Sequence, residues 1–155
     1  MSEKGVFSVE SRAHALSGAM WERTLREVLA SACDATEPIS YLQSQSPHLR
    51  RALGAQFFGF LVFAGDGRRY EWLTTTGEMK YTGEHDWLRL VDRHSPVAEG
   101  PWCCQPLSGD QIGHVWIAAR FSHAQETAHA VELLGELVET LNTALQFIDQ
   151  RYKML

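Results

Sequence analysis

The chain is 155 residues long, with hydrophobic residues at 45% and charged residues at 21%, the proportions of an ordinary domain with room for a real core. Its net charge of −5 argues against nucleic acid as a main partner, because neutralising phosphates needs a basic surface. There is no apolar run of membrane-spanning length and no signal-peptide core, and the 3 cysteines suggest no disulfide framework, so a cytoplasmic protein without membrane contact is expected.

Residues 1–8 read as a frayed start. From Val9 to about Thr36, Ala13, Leu16, Met20, Leu25, Val28, Leu29 and Ala32 share a broad helical face, while Glu22, Arg23, Arg26 and Glu27 point elsewhere. Glu37-Pro38 is expected to end this helix. Tyr41 to Leu53 reads as a shorter helix or turn, with Ser46 as its cap and Pro47 at its first position. Gln56–Ala64 is apolar on both faces and predicts a central strand. Gly65-Asp66-Gly67 is turn chemistry, and Arg68–Thr75 is the partner strand. Thr76 to Thr82 reads as loop, His85–His94 as a short helix, and Ser95–Gly100 as loop again. Pro101–Leu107 enters a second hairpin, in which a two-residue turn at Gly109-Asp110 joins Gln105–Ser108 to Gln111–Arg120.

A long helix follows, with Ser122 as expected N-cap and Gln125 completing a capping box. Val131, Leu134, Val138, Leu141, Leu145, Ile148, Tyr152 and Leu155 are spaced alternately by 3 and 4, an a/d seam. Leu133, Leu137, Ala144 and Phe147 form a second row beside it. One row can cover the sheet and the other can meet a helix. The seam is assigned to a homodimer interface, with Val131, Leu134, Val138, Leu141, Leu145 and Ile148 as its residues. It reaches Leu155 with no Gly or Pro stop, which suggests continuation into an output domain. The expected fold is a single α+β domain: a central antiparallel sheet with the N- and C-terminal helices packed on one face.

This order of elements resembles the GAF family, small-molecule sensor domains of phosphodiesterases, cyclases and histidine kinases. The likeness rests on Leu53-Gly54-Ala55 before the apolar strand Phe57–Phe63, on Pro106-Leu107 with Gln111 to Ile117 as the late hairpin, and on Phe121-Ser122 with the Leu-rich helix. It covers roughly residues 16–150. A PAS-type sensor shares the plan, but a long helix before the first hairpin fits its strand order less naturally. The chain departs from the family in its short middle segment, residues 76–100, and lacks the asparagine-lysine-phenylalanine type of motif found in cyclic-nucleotide binders. Residues 65–100 contain no cysteine to anchor a bilin, nor those that a GAF-type free methionine sulfoxide reductase uses there. The resemblance therefore implies a sensory or dimerisation module whose ligand is open.

Candidate chemistry is sparse. Cys103 and Cys104 are adjacent on a strand, so their side chains point to opposite faces and cannot jointly hold one metal. None of the 7 histidines makes the i, i+4 pair of a zinc-binding helix, though the resemblance leaves haem ligation by one of them open. No nucleophile triad, phosphate loop or carboxylate pair stands out, so no metal, catalytic residue or enzyme activity is assigned. The aromatics are more informative. The Gly109-Asp110 turn would set Leu107 opposite Ile112, Gln105 opposite His114 and Cys103 opposite Trp116. Gly113, Val115, Ile117 and Ala119, with Cys104, then face the helices. Ile112, His114 and Trp116, with Gln105 and Cys103, face a pocket walled by Trp72 and Trp87. The expected ligand-binding set is Trp72, Trp87, Cys103, Gln105, His114 and Trp116. The leading reading is a sensor domain of a signalling protein that takes a small molecule, or dimerises, and signals through its terminal helices to a kinase or cyclase. The alternatives are a ligand-free structural dimerisation module and a stand-alone GAF-type thiol redox enzyme.

Overall fold

The computed structural model describes residues 18–63, 70–78, 96–107, 115–123 and 126–154. Helices occupy residues 18–31 (α1), Pro38–Leu53 (α2) and Thr127–Met154 (α3). The strands are Phe57–Phe63 (β1), Tyr70–Gly77 (β2), Val97–Glu99 (β3), Trp102–Leu107 (β4) and Val115–Arg120 (β5). They form one antiparallel sheet in the order β2-β1-β5-β4-β3, with the helices covering one face. β1 lies inside the sheet, which is why its residues are apolar on both sides: Phe58 and Phe60 join the helix layer, Phe57 and Leu61 the opposite one.

The N-terminal helix ends at residue 31, earlier than expected, and a turn follows. Glu37 does not terminate it but caps α2, its carboxylate accepting from the N–H groups of Ile39 at 3.0 Å and Ser40 at 2.8 Å, with Pro38 just inside. This corrects the expected cap at Ser46, which lies within α2, buried, its hydroxyl donating to the Leu42 carbonyl at 2.8 Å. Pro47 is also inside the helix and has no N–H to offer the carbonyl four residues back. The helix continues because Tyr41, Leu42, Leu49 and Leu53 bury one face across it, and packing outweighs the local break. α2 stops at Gly54, whose φ of 70° suits a residue without Cβ and whose N–H returns to the last turn.

Tertiary hydrogen bonds pin α1 to its neighbours. Trp21 Nε1 donates to Glu136 Oε2 of α3 at 3.0 Å, and Arg151 Nη1 donates to the Ala35 carbonyl at 2.7 Å. Buried Tyr41 donates its hydroxyl to the Val28 carbonyl. Val28 and Ala32 are buried as expected, whereas Met20 is 67% exposed and Trp21 takes the inward place.

Two further expectations change. Residues 97–99 form edge strand β3, not loop. α3 starts at Thr127, preceded by a turn in which Glu126 N–H donates to the His123 carbonyl, so Ser122 is not its N-cap. Gly65-Asp66-Gly67, His85–His94, Gly109-Asp110 and Gln125 lie outside the described residues. Among the described residues no helix is long and apolar enough to cross a membrane.

Candidate functional site on the far face of the sheet

The placement of the residues assigned to a dimer seam bears on which surfaces remain free. Leu134, Leu141, Leu145 and Ile148 are buried in this chain's own core, and Val131 and Val138 pack against it half-buried. Leu137 and Ala144 of the second row are buried there too. The core of this chain thus takes residues from both apolar rows of α3. What α3 leaves outside is Phe147, 50% exposed.

The opposite face of the sheet carries a separate apolar layer. Strand pairing gives its rows. Gly59, Ala118 and Cys104 sit side by side on β1, β5 and β4 and form a strip of small residues. Leu61 and Trp116 stand on one side of it, and Phe57 and Trp102 on the other. On β2 the register slips between Phe60 and Leu61, making Leu73 an extra residue whose carbonyl accepts from Gln43 Nε2 at 3.2 Å. Beyond the bulge Trp72 pairs with Leu61, and its indole leans over Gly59. A Cβ at Gly59 would lie 2.9 Å from Trp72 Cζ3 and 2.9 Å from the Thr74 carbonyl, so only glycine admits the ring.

The rings form one connected band. Trp102 meets Phe57 at 5.7 Å, Phe57 meets Trp72 at 5.2 Å, and Trp72 meets Tyr70 at 6.2 Å between centroids. Tyr70 then meets Phe63 at 6.2 Å and Phe63 meets Trp116 at 6.5 Å. Most of these contacts are edge-to-face, the arrangement that ring quadrupoles favour. Phe57, Leu61, Cys104 and Ala118 are fully buried, and Trp102 and Trp116 nearly so. Phe63, Tyr70 and Trp72 are half-buried. One end of the face is polar, where Arg120, opposite both Phe57 and Trp102, donates to Gln56 Oε1 at 2.8 Å.

The sequence-assigned residues divide. Trp72 and Trp116 are in the band. Cys103 and Gln105 are not: the observed pairs are Leu107 with Val115, Gln105 with Ile117 and Cys103 with Ala119, a slip of three residues from the expected register. An odd slip turns β4 over relative to β5. Cys103 therefore lies in the helix layer, and Gln105 Nε2 donates to the Val131 carbonyl of α3 at 2.7 Å. Cys104 replaces them on the far face. Trp87 and His114 lie outside the described residues. Phe57 and Phe63 follow from alternation along β1, Trp102 from alternation along β4 in the observed register, and Tyr70 from its pairing on β2 with Phe63.

The chemistry of this face is apolar. Burial holds the Cys104 thiol well above its ordinary pKa, and the neighbouring Cys103 adds to the effect. Burial pushes Cys103 itself up to about 12 and raises the Tyr70 phenol. These groups are neutral near pH 7, so the buried cysteines are thiols and not thiolate nucleophiles. Among the described residues no group of three or more His, Cys, Asp or Glu is placed to hold a metal ion.

An antiparallel sheet between a layer of three helices and an aromatic layer makes an α+β sandwich. The chain has the GAF fold, as comparison with solved structures shows. It is similar to a free methionine-R-sulfoxide reductase from Neisseria meningitidis, solved with its substrate, at TM-score 0.65 and 16% identity over 86% of this chain and 92% of that one. It is equally similar to the A. aeolicus nlh2 GAF domain in an inactive state, at TM-score 0.65 and 10% identity over 84% and 98% of the two chains. The phycoerythrobilin-bound GAF domain of a cyanobacterial phytochrome matches at TM-score 0.62 and 12% identity over 85% and 97%. No protein-family model and no curated protein sequence matches the chain.

Proposed function

We propose that this is a regulatory domain of a cytoplasmic signalling protein that takes a small, largely apolar or aromatic molecule against the far face of the sheet. The observation that carries the reading is the division of β5. Its Trp116 and Ala118 belong to the aromatic layer, while the alternating Val115, Ile117 and Ala119 lie in the core on the helix side. A molecule that seats against Trp116 and Cys104 therefore bears on β5 and on β4, the strand that Gln105 ties to the Val131 carbonyl of α3. Trp21–Glu136 and Arg151–Ala35 make α1 and α3 move together. Ligand shifts output only by its differential affinity for two placements of that pair. An attached kinase or cyclase is the expected receiver. Pairing of two copies, where it occurs, uses the outer strip of α3 around Phe147 and not the buried seam. The chain itself does no thiol chemistry.

Native mass spectrometry of the gently purified protein is the direct test. The reading expects a bound small molecule that is released on denaturation and is lost in a folded Trp116→Ala variant. Absence of any adduct, together with no saturable quenching of tryptophan emission by a panel of aromatic metabolites, would refute it. Turnover of free methionine sulfoxide that disappears in Cys104→Ser would move the assignment to the thiol enzyme.

A further inference from the structure

Edge strand β2 carries one residue more than its partner, and that residue sits where the two layers meet. Phe60 pairs with Thr74 and Leu61 with Trp72, so Leu73 has no partner on β1. Its side chain packs against the helix-side core, while Trp72 and Tyr70 before it join the aromatic layer. Side chains alternate along a strand, so the bulge decides which residues of β2 reach the aromatic face. With the bulge removed and Thr74 held on Phe60, Leu73 would pair with Leu61, Trp72 with Val62 and Glu71 with Phe63. Trp72 and Tyr70 would then turn to the helix side, and Leu73 and Glu71 would take their places. A slip of one residue exchanges an aromatic wall for a leucine and a carboxylate, so the two registers of β2 are discrete states.

Two contacts hold the observed register. On the aromatic side the Trp72 ring fills the space over Gly59. On the helix side Gln43 of α2 reaches across to the sheet edge, and its Nε2 donates to the Leu73 carbonyl at 3.2 Å. A bulged residue stands outside the ladder, so its carbonyl takes a donor from elsewhere. This bond is exposed, so water competes for both partners and its net worth is small. It is a light latch, and it is joined to the rest of the helix layer. Tyr41, two residues before Gln43, donates its hydroxyl to the Val28 carbonyl of α1, and His48 Nε2 lies 3.1 Å from Glu27 Oε2 of the same helix.

We propose that the Leu73 bulge is the joint through which α2 reads the aromatic face, with Gln43 as its positioning residue. Gln43 holds Leu73 in the helix layer and so keeps Trp72 over Gly59. A molecule that displaces the Trp72 ring pulls on the bulge, loosens the Gln43 bond and frees α2, and with it α1, from the edge of the sheet. This role rests on the sensory reading of the far face, but the joint itself belongs to the unliganded chain. Coupling of this kind is reciprocal: what Trp72 does to the Gln43 bond, the Gln43 bond does to Trp72.

The test needs no ligand. ¹H–¹⁵N correlation spectra of the whole chain read the Trp72 indole N–H and the Gln43 side-chain amide. Gln43→Ala, and Gln43→Glu, which keeps the shape and loses the donor, should both shift the indole signal and raise the population of a second, exchanging state of β2 about two- to tenfold, the worth of one exposed hydrogen bond. Gln43→Lys supplies a donor again and should return the signal toward wild type. In the reverse direction, Trp72→Leu should move the Gln43 side-chain amide toward its position in the unfolded chain. Gln43 is exposed, so its variants keep the fold and decide the matter alone if Trp72→Leu does not fold. An indole signal common to all the Gln43 variants, a Gln43→Glu spectrum that matches wild type, or a Gln43 amide unmoved in folded Trp72→Leu would overturn the joint and leave the sensory reading standing. Intact coupling in a chain that holds no small molecule would refute the sensory reading and leave the joint.

Discussion

Replacing Leu141 by alanine separates a core side chain from an interface side chain. Leu141 is fully buried with Leu134, Leu137, Leu145 and Val28 in the core of one chain. Removing its branched end should cost about 2–5 kcal/mol, the transfer term plus the cavity that close-packed neighbours cannot fill. For a chain of this size that is a fall in Tm of roughly 5–15 °C. Leu141→Glu goes further, because an unpaired carboxylate among aliphatic side chains costs several kcal/mol more and approaches the whole stability of a typical domain at about 5–15 kcal/mol. Urea unfolding followed by circular dichroism, run at two protein concentrations, reads both effects. The expected result is a midpoint independent of concentration for the wild type, a large loss for Leu141→Ala, and little folded Leu141→Glu. If the wild-type midpoint rises with concentration, and Leu141→Glu is a folded monomer by light scattering, α3 uses its seam between chains and the core described above is wrong.

Phe147→Ser, at a half-exposed position on the same helix, should change stability by no more than about 0.5 kcal/mol in the same urea assay. Gly59→Ala places a methyl 2.9 Å from the Thr74 carbonyl and the Trp72 ring, and should cost about 1–3 kcal/mol with a change in tryptophan emission, while an unchanged spectrum would place the indole elsewhere. Iodoacetamide at pH 8 should label exposed Cys33 at once and leave Cys103 and Cys104 unlabelled until denaturant is added, read by peptide mass spectrometry. The folded chain keeps those two thiols protonated where the unfolded chain ionises them. Their contribution to stability is therefore full below the ordinary value of 9.0 and falls as pH rises toward about 12, which an alkaline series of urea midpoints measures. Glu37→Ala removes the α2 cap and should cost on the order of 1 kcal/mol at neutral pH. Because the folded pKa is lowered, the wild-type advantage should be full above 4.5 and fade as pH falls through the folded value.

What was legible in the sequence is what repeats or alternates over many residues. The helical faces of α1 and α3 and the two-sided apolarity of β1 each involve enough positions to outvote a local exception. The GAF resemblance followed from their order. What failed were single dipeptides read as punctuation. Ser46-Pro47 has the chemistry of a helix start, but the burial of Tyr41, Leu42, Leu49 and Leu53 carries α2 straight through it. Glu37-Pro38 reads as a stop, but it is a start, since a carboxylate before proline can cap the next helix. The seam was periodic as read, but periodicity cannot tell a partner helix in another chain from α1 and a sheet in the same one.

Gly109-Asp110 produced the error that matters for the site. Taken as a two-residue turn it fixed a register, whereas the last observed pair, Leu107 with Val115, leaves residues 108–114 to connect the strands. On β5 the pattern resists such a mistake, because Val115, Ile117 and Ala119 alternate with the aromatic Trp116. β4 offers no such check. Trp102, Cys103, Cys104 and Gln105 are all buried, since both faces of the sheet are covered there. Gln105 then misleads by its polarity. A buried carboxamide suggests a pocket, but it needs only a partner, and the Val131 carbonyl supplies one. Turning β4 over removes Gln105 and Cys103 from the proposed ligand face and brings in Trp102 and Cys104. Among the described residues that face is a strip of small, buried side chains between tryptophans, with Arg120 at one end and Glu99 of β3 opposite Trp102. On the proposal above, a ligand there is held by ring contacts in place of the Gln105 hydrogen bond that the expected register implied.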